Sequence, residues 1–257
     1  MNKKPIIQVE NLTTRYGDTT ILENVSFRVS RGEIFMLLGA SGCGKSTLLK
    51  HLNGLLRPSS GRIIVNGTDI TAADEETMRD IQRTIGVLFQ ADALFSSMTI
   101  FENIALPLYE YTDLTRGMID RTVKMKLALV NLPGHENHMP AELSGGMRKR
   151  AALARAMALD PLLLFFDEPW AGLDPVTAAE LDILIRSINT AMGTTMVIVT
   201  QELASIFSLA QRVIMLDKSV RGIIAQGDPA ELKEHSQDIR VVNYFNRKAT
   251  GGDEGGL

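Results

Sequence analysis

The stretch Gly39–Ser46 reads GASGCGKS, and no other part of the chain restricts the fold so tightly. It matches G-x-x-x-x-G-K-[ST], the pattern in which backbone amides and one lysine wrap nucleotide phosphates. That chemistry needs a strand to deliver the loop and a helix to carry it away, with the helix N-terminus facing the anion. The flanks supply both. Glu33–Leu38 (EIFMLL) predicts a short buried strand, and Thr47–Leu56 predicts a helix with one apolar face. Glycines let the backbone curve tightly and approach the phosphates closely, so that Gly39, Ser41, Gly42, Cys43, Gly44, Lys45, Ser46 and Thr47 are the expected cradle. Within it Lys45 is expected on the β and γ phosphates and Ser46 on Mg²⁺.

With 257 residues, 45% hydrophobic and 22% charged, the chain can bury one large or two interlocked cores. A net charge of −3 gives no reason to expect a nucleic-acid partner. Cys43 is the only cysteine, which excludes an intrachain disulfide and fits a reducing compartment. Its thiol is read as a small group at a free position of the motif, without a chemical role. Two lysines in Met1–Lys4 precede no apolar stretch, and no run reaches the ~18 apolar residues of a membrane span. Neither a secretory signal nor a span is therefore expected, and any membrane role must come through a partner.

Read in order, Ile6–Leu12 and Ile21–Val29 alternate apolar and polar residues as antiparallel strands with one buried face, and Gly61–Gly67 adds a short strand. A helix is expected near Asp74–Arg83, then a strand at Ile85–Phe89 ending beside Gln90. From Ala91 to about Asp160 the pattern is helical, at Ile100–Tyr109, Arg116–Leu132 and Gly145–Leu159, broken by Pro133, Gly134 and Pro140. This reads as a helical subdomain inserted into the nucleotide core. Leu162–Glu168 (LLLFFDE) and Thr194–Thr200 (TTMVIVT) are continuous apolar runs, the mark of parallel strands covered on both faces, with Pro175–Thr190 as the crossover helix. The first delivers Asp167 and Glu168 to the strand ends where open α/β sheets bind ligands. Val213–Leu216 and Ile223–Ala225 are later strands, and Asp228–His235 is a short helix. Ile239–Phe245 keeps apolar residues able to dock, whereas Gly251–Leu257 (GGDEGGL) reads as a disordered tail or an appended remnant.

Taken together, GASGCGKS, Gln90 after a strand, LSGGM at Leu143–Met147, LLLFFDEP at Leu162–Pro169 and AGLDP at Ala171–Pro175 resemble the ATP-binding cassette (ABC) family from Ile6 to about Gly227. The resemblance implies an α/β fold with a RecA-like, mostly parallel core, an N-terminal antiparallel β subdomain and an inserted α-helical subdomain. The corresponding boundaries are 1–90 and 161–235 for the two parts of the core, 91–160 for the helical subdomain and 236–257 for a C-terminal extension. It implies that Tyr16 stacks on the adenine, although the residues alone favour a half-buried aromatic at a strand end. It implies that Ser46, Gln90 and Asp167 hold Mg²⁺ and that Glu168 orients the attacking water. It also implies a second copy packed head to tail, with Ser144, Gly145 and Gly146 closing over the γ-phosphate held by the other chain and Asp174 lying across the interface. Gln90–Leu108 is where cassettes of this family meet an integral membrane permease; Phe95, Met98 and Phe101 suit core packing and partner contact equally. The run Arg148–Arg150 would add positive field at the interface, but a solvated helix face is its preferred reading.

The methionine of LSGGM, the following RKR and FFDEPWAGLDP are most similar to the Mla-type ATPases of MCE-protein phospholipid transport in Gram-negative bacteria. Such a resemblance implies a small STAS-domain protein and an MCE-domain ring as further partners, and a place on the cytoplasmic face of the inner membrane. One residue departs from the family pattern: Gln201 stands where a histidine usually contacts the γ-phosphate. A glutamine offers an amide donor but cannot become cationic or exchange a proton, so hydrolysis is expected to be weakened. Its readings are a tolerated substitution or an engineered or degenerate slow form that dwells in the closed dimer. The alternatives carried are a cassette for another solute or drug, a soluble ABC protein acting on DNA or ribosomes, and a slowly hydrolysing nucleotide clamp.

Overall fold

The computed structural model describes residues 5–248; the expectations for Met1–Lys4 and Gly251–Leu257 lie outside them. Strand β1 (Pro5–Tyr16) pairs antiparallel with β2 (Thr19–Ser30) across a tight turn in which Gly17 has φ 55°. Alternation, shifted once by an irregularity between Val9 and Leu12, buries Ile7, Val9 and Leu12 against Val25, Phe27 and Val29. Strand β3 (Ile34–Leu38) is buried at all five positions and runs into the phosphate loop, which gives way to α1 (Lys45–Leu52). The helix opens two residues earlier than its apolar pattern suggests and stops four residues sooner. Gly44, at φ 103°, starts it, and Gly54, at φ 76°, takes the chain out. Strands β4 (Ser60–Val65) and β5 (Thr68–Asp69) complete a four-stranded sheet ordered β2-β1-β4-β5.

Helix α2 (Glu75–Arg83), capped by Asp74 on the Thr77 amide, leads to β6 (Ile85–Leu88). The inserted segment holds α3 (Ile100–Tyr111), α4 (Arg116–Leu129) and α5 (Gly145–Ala156). Thr99 and Glu102 form a reciprocal capping box on α3, and Ser144 caps α5 on the Met147 amide. The chain then alternates through β7 (Leu163–Asp167), α6 (Pro175–Met192), β8 (Thr195–Val199), α7 (Leu203–Leu209), β9 (Arg212–Asp217) and β10 (Gly222–Gly227), and ends in α8 (Pro229–His235) and α9 (Ile239–Phe245). The second sheet has six strands ordered β10-β9-β3-β8-β7-β6, parallel except for β10 at the edge. Helix α7 and strand β5 have no counterpart in the sequence reading: β5 has only two residues, and α7 lacks the proline at its start that marks the equally short α8.

Alternation along the parallel strands divides the interior. Phe35, Leu37, Phe165, Val197 and Ile214 face the antiparallel sheet and α1, whereas Met36, Leu38, Phe166, Ile198 and Met215 face the inserted helices and α6. Each buried phenylalanine contributes about 1.5–3 kcal/mol by leaving water. Ile239–Phe245 finds its partner within the chain: Val241 and Phe245 join the helical-side core, with Phe207 and Phe245 rings 5.6 Å apart.

Candidate active site

The strand ends of β3, β7 and β8 and the N-terminus of α1 surround a cavity of about 540 Å³. Its lining includes Ser41, Gly42, Gly44, Lys45, Ser46, Thr47, Gln90, Glu168 and Gln201, so residues separated by more than 150 positions share one space. Two residues that sequence reasoning did not single out, Ile21 on β2 and Ala171 beyond β7, complete it.

The loop is shaped by close approaches. A Cβ at Gly39, which has φ 136°, would stand 2.3 Å from the Leu216 carbonyl oxygen, so only glycine lets the loop leave β3 beside β9. Lys45 Nζ donates to the carbonyl oxygens of Gly39 and Ala40 at 2.8 and 3.1 Å, which curls the loop around its ammonium. With glycine at the N-cap of α1 there is no side-chain cap, leaving the first-turn amides to a ligand. Cys43 is buried beneath, and burial raises its thiol pKa, consistent with a packing role.

Ser46 Oγ donates to Asp167 Oδ1 at 3.0 Å, joining the first turn of α1 to the last residue of β7. Gln90, beyond β6, lines the same cavity. Among the described residues no cluster of three His, Cys, Asp or Glu could hold a metal unaided. The donors present are oxygens and few, a set that fits Mg²⁺ completed by phosphate and water.

Glu168 does not continue the alternation of β7. Its φ of 47° is left-handed, sparsely populated for a residue with a Cβ, and its amide is held by the Val199 carbonyl at 2.9 Å. The carboxylate is thereby turned into the cavity, where Gln201 Nε2 donates to Oε1 at 3.2 Å. Burial raises the Glu168 pKa, partly opposed by the Gln201 hydrogen bond and the charge of Lys45. The site thus joins helix-start amides with one ammonium, an oxygen-donor pair and a carboxylate turned into the same cavity, parts that phosphoryl transfer uses.

Other expected site residues lie outside this cavity. The Tyr16 ring is 51% exposed at the end of β1 and is not in the lining. Ser144 is exposed at the start of α5, and a Cβ on Gly146 would lie 2.5 Å from Thr177 Cγ2 of α6. Asp174 caps α6 through the Val176 and Thr177 amides, so its local bonds alone account for its carboxylate. Phe95 is half exposed, while Phe101 packs against the helical core. The run Arg148–Arg150 is not a solvated face. Lys149 is buried against Asp92, Arg148 donates to the Leu143 carbonyl, and Arg150 pairs with Glu180. The missed signal is spacing: Lys149 stands three and four residues before Ala152 and Leu153, on the apolar stripe of α5.

Residues 22–171 match the family model described as ABC transporter. The Haemophilus influenzae intermembrane phospholipid transport system ATP-binding protein MlaF is 40% identical over 247 residues, covering 96% of this chain and 92% of that protein. A Mycobacterium tuberculosis protein named probable ribonucleotide transport ATP-binding protein mkl is 42% identical over 245 residues, covering 95% of this chain and 67% of that protein. Among solved structures, a dimeric ATP-binding cassette in a post-hydrolysis state with ADP and Pi superimposes with TM-score 0.78 at 28% identity, over 86% of this chain and 98% of that one. The Clostridium perfringens protein CbiO1, part of the ABC transporter complex CbiONQ, gives 0.83 at 30%, over 94% and 95%.

Proposed function

The chain belongs to the ABC transporter family as an ATPase subunit, and from that premise we propose that it powers phospholipid movement between the inner and outer membranes of a Gram-negative bacterium. The observation that carries the catalytic part is the convergence of Lys45, Ser46, Glu168 and Gln201 on one cavity, with Asp167 bonded to Ser46 at its edge. The cargo assignment rests on relatives named for intermembrane phospholipid transport that match along 96% of the chain. The mycobacterial relative, named for ribonucleotide transport, supports a second reading in which the cargo is another solute.

In this reading the loop amides and Lys45 take the phosphates of ATP. Ser46, Asp167 and Gln90 would hold Mg²⁺, which when bound neutralises charge on the phosphate oxygens. Glu168 orients a water whose oxygen bonds to the γ-phosphorus as the bridging oxygen leaves with its electron pair, giving ADP and phosphate. Gln201 fixes the carboxylate but cannot exchange a proton, so turnover is slow. Ser144, Gly145 and Gly146 are exposed or half-buried at a helix N-terminus, free to cover the γ-phosphate of a second copy, with Asp174 alongside. Tyr16, exposed near the cavity-lining β2, is available to an adenine ring.

No helix among the described residues is long and apolar enough to cross a membrane. The membrane step therefore belongs to a permease, met through Gln90–Leu108 at the cytoplasmic face of the inner membrane, together with a STAS-domain protein and an MCE-domain ring. Native mass spectrometry of the detergent-extracted assembly tests this reading. Two copies of the chain with a permease and bound phospholipid are expected; a different permease with no lipid would overturn the cargo assignment.

A further inference from the structure

Three cations of α5 grip one loop. Lys149 is only 4% exposed; its ammonium donates to the Gln90 carbonyl and stands 2.8 Å from Asp92 Oδ1. Arg148 Nε approaches Asp92 Oδ2 at 3.5 Å. Nearly two turns along, Arg155 donates to the Ala93 carbonyl at 2.7 Å and lies over the Phe95 ring, 5.7 Å from its centre. The gripped loop holds two consecutive left-handed residues without glycine, Asp92 at φ 60° and Ala93 at φ 55°. Such a backbone persists only where its surroundings impose it; at Asp92 and Ala93 the side chains that do so come from α5, while Asn103 of α3 holds Phe95 further along the loop. A buried ammonium is in turn tolerated only when it is paired and hydrogen-bonded, which explains why Lys149 has both partners.

The same helix begins at Ser144, and its far end is fixed to the sheet, where a Cβ on Gly86 would lie 2.1 Å from the Ala156 carbonyl oxygen. We propose that Lys149 is a positioning residue that locks the Gln90 loop to the Ser144–Gly146 turn, so that the reach of Gln90 into its own nucleotide site and the reach of the turn into a second copy's site are set together. This rests on the two-copy site proposed above. One chain alone then senses its own nucleotide at Gln90 and presents the matching closing surface at Ser144, with the ammonium as the link between them.

The test uses the full-length chain carrying Glu168→Gln, which holds ATP unhydrolysed, with dimerisation followed by light scattering against Mg-ATP concentration and monomer binding followed with a fluorescent ATP analogue. Adding Lys149→Met is expected to raise the ATP concentration for half-dimerisation about tenfold, within the usual range of coupling between sites, while monomer affinity stays within about twofold. Lys149→Met with Asp92→Asn, which removes the stranded carboxylate and protects the fold, is expected to show the same defect at a preserved melting temperature. Dimerisation of that double variant at the parent's ATP concentration would overturn the proposal, since Lys149 would then serve only to neutralise Asp92. Failure of the Glu168→Gln parent itself to dimerise would instead overturn the two-copy site, and this inference with it.

Discussion

The Gln201 side-chain amide donates to Glu168 Oε1 at 3.2 Å, so two residues 33 positions apart, just beyond the neighbouring strands β7 and β8, are joined across one cavity. The amide holds the carboxylate in place, but a glutamine has no titratable proton to offer beside it. Gln201→His is therefore expected to raise kcat by roughly tenfold or more, with KM for ATP little changed, as befits an added proton-transfer group. The assay is steady-state ATPase in the transporter complex, and equal rates would remove the assigned role.

Glu168 titration gives a signed pH effect. Burial raises the carboxyl pKa, while the Gln201 bond and then Lys45 lower it. Gln201→Ala removes one lowering contribution, so the acid limb of kcat/KM is expected to move to higher pH. For stability the sign is opposite to that of a salt-bridged acid. A folded pKa above the unfolded one favours folding most below the unfolded pKa, and that contribution is lost as pH rises through the folded pKa. Glu168→Gln should therefore gain in melting temperature relative to the parent as pH goes from 4 to 8, read by thermal melts at each pH.

Glu168→Gln is further expected to lower turnover by roughly 100-fold or more, the scale of losing a proton-handling group, while leaving nucleotide binding intact. Single-turnover hydrolysis and equilibrium binding on the same preparation separate the two. Undiminished hydrolysis would show that another group orients the water.

Ser46 bonds directly to Asp167. Ser46→Ala is expected to raise the Mg²⁺ concentration for half-maximal activity by roughly tenfold, the lower end of what a lost supporting ligand costs, with metal-free nucleotide binding nearly unchanged. A magnesium titration of ATPase activity against binding measured in EDTA reads this out. An unchanged midpoint would place the ion elsewhere.

Gly86→Ala tests the contact between α5 and the sheet. The added methyl would meet the Ala156 carbonyl at 2.1 Å, and neither backbone has a flexible end to swing away. Overpacking of this kind costs about 1–3 kcal/mol, which should lower Tm by several degrees. A chemical denaturation curve with unchanged midpoint would mean that α5 shifts freely.

Much of the site was legible because phosphate binding constrains residues that are adjacent in sequence: Gly39–Ser46 lies between a strand and a helix as the pattern requires, although the helix bounds shift to Lys45–Leu52. Strands β7 and β8 were equally plain, since continuous apolar runs such as Leu163–Phe166 suit only a sheet covered on both faces. What stayed hidden is what depends on distant contact. The left-handed turn of Glu168 comes from the Val199 carbonyl on the next strand, and nothing in DEP announces it. Lys149 was misread because a charge run usually faces water, and only its register with Ala152 and Leu153 tells otherwise. The contact of Gly146 with Thr177 likewise joins two helices that the sequence separates by a whole strand.

Alternate residues of β3 and β7 belong to different interiors, one beneath the phosphate loop and one beneath the inserted helices. A substitution such as Phe166 to another apolar residue therefore disturbs the layer beneath the inserted helices, while its neighbour Phe165 still packs on the phosphate-loop side. Each face of these strands can thus be repacked on its own, with the sheet between them as a partition.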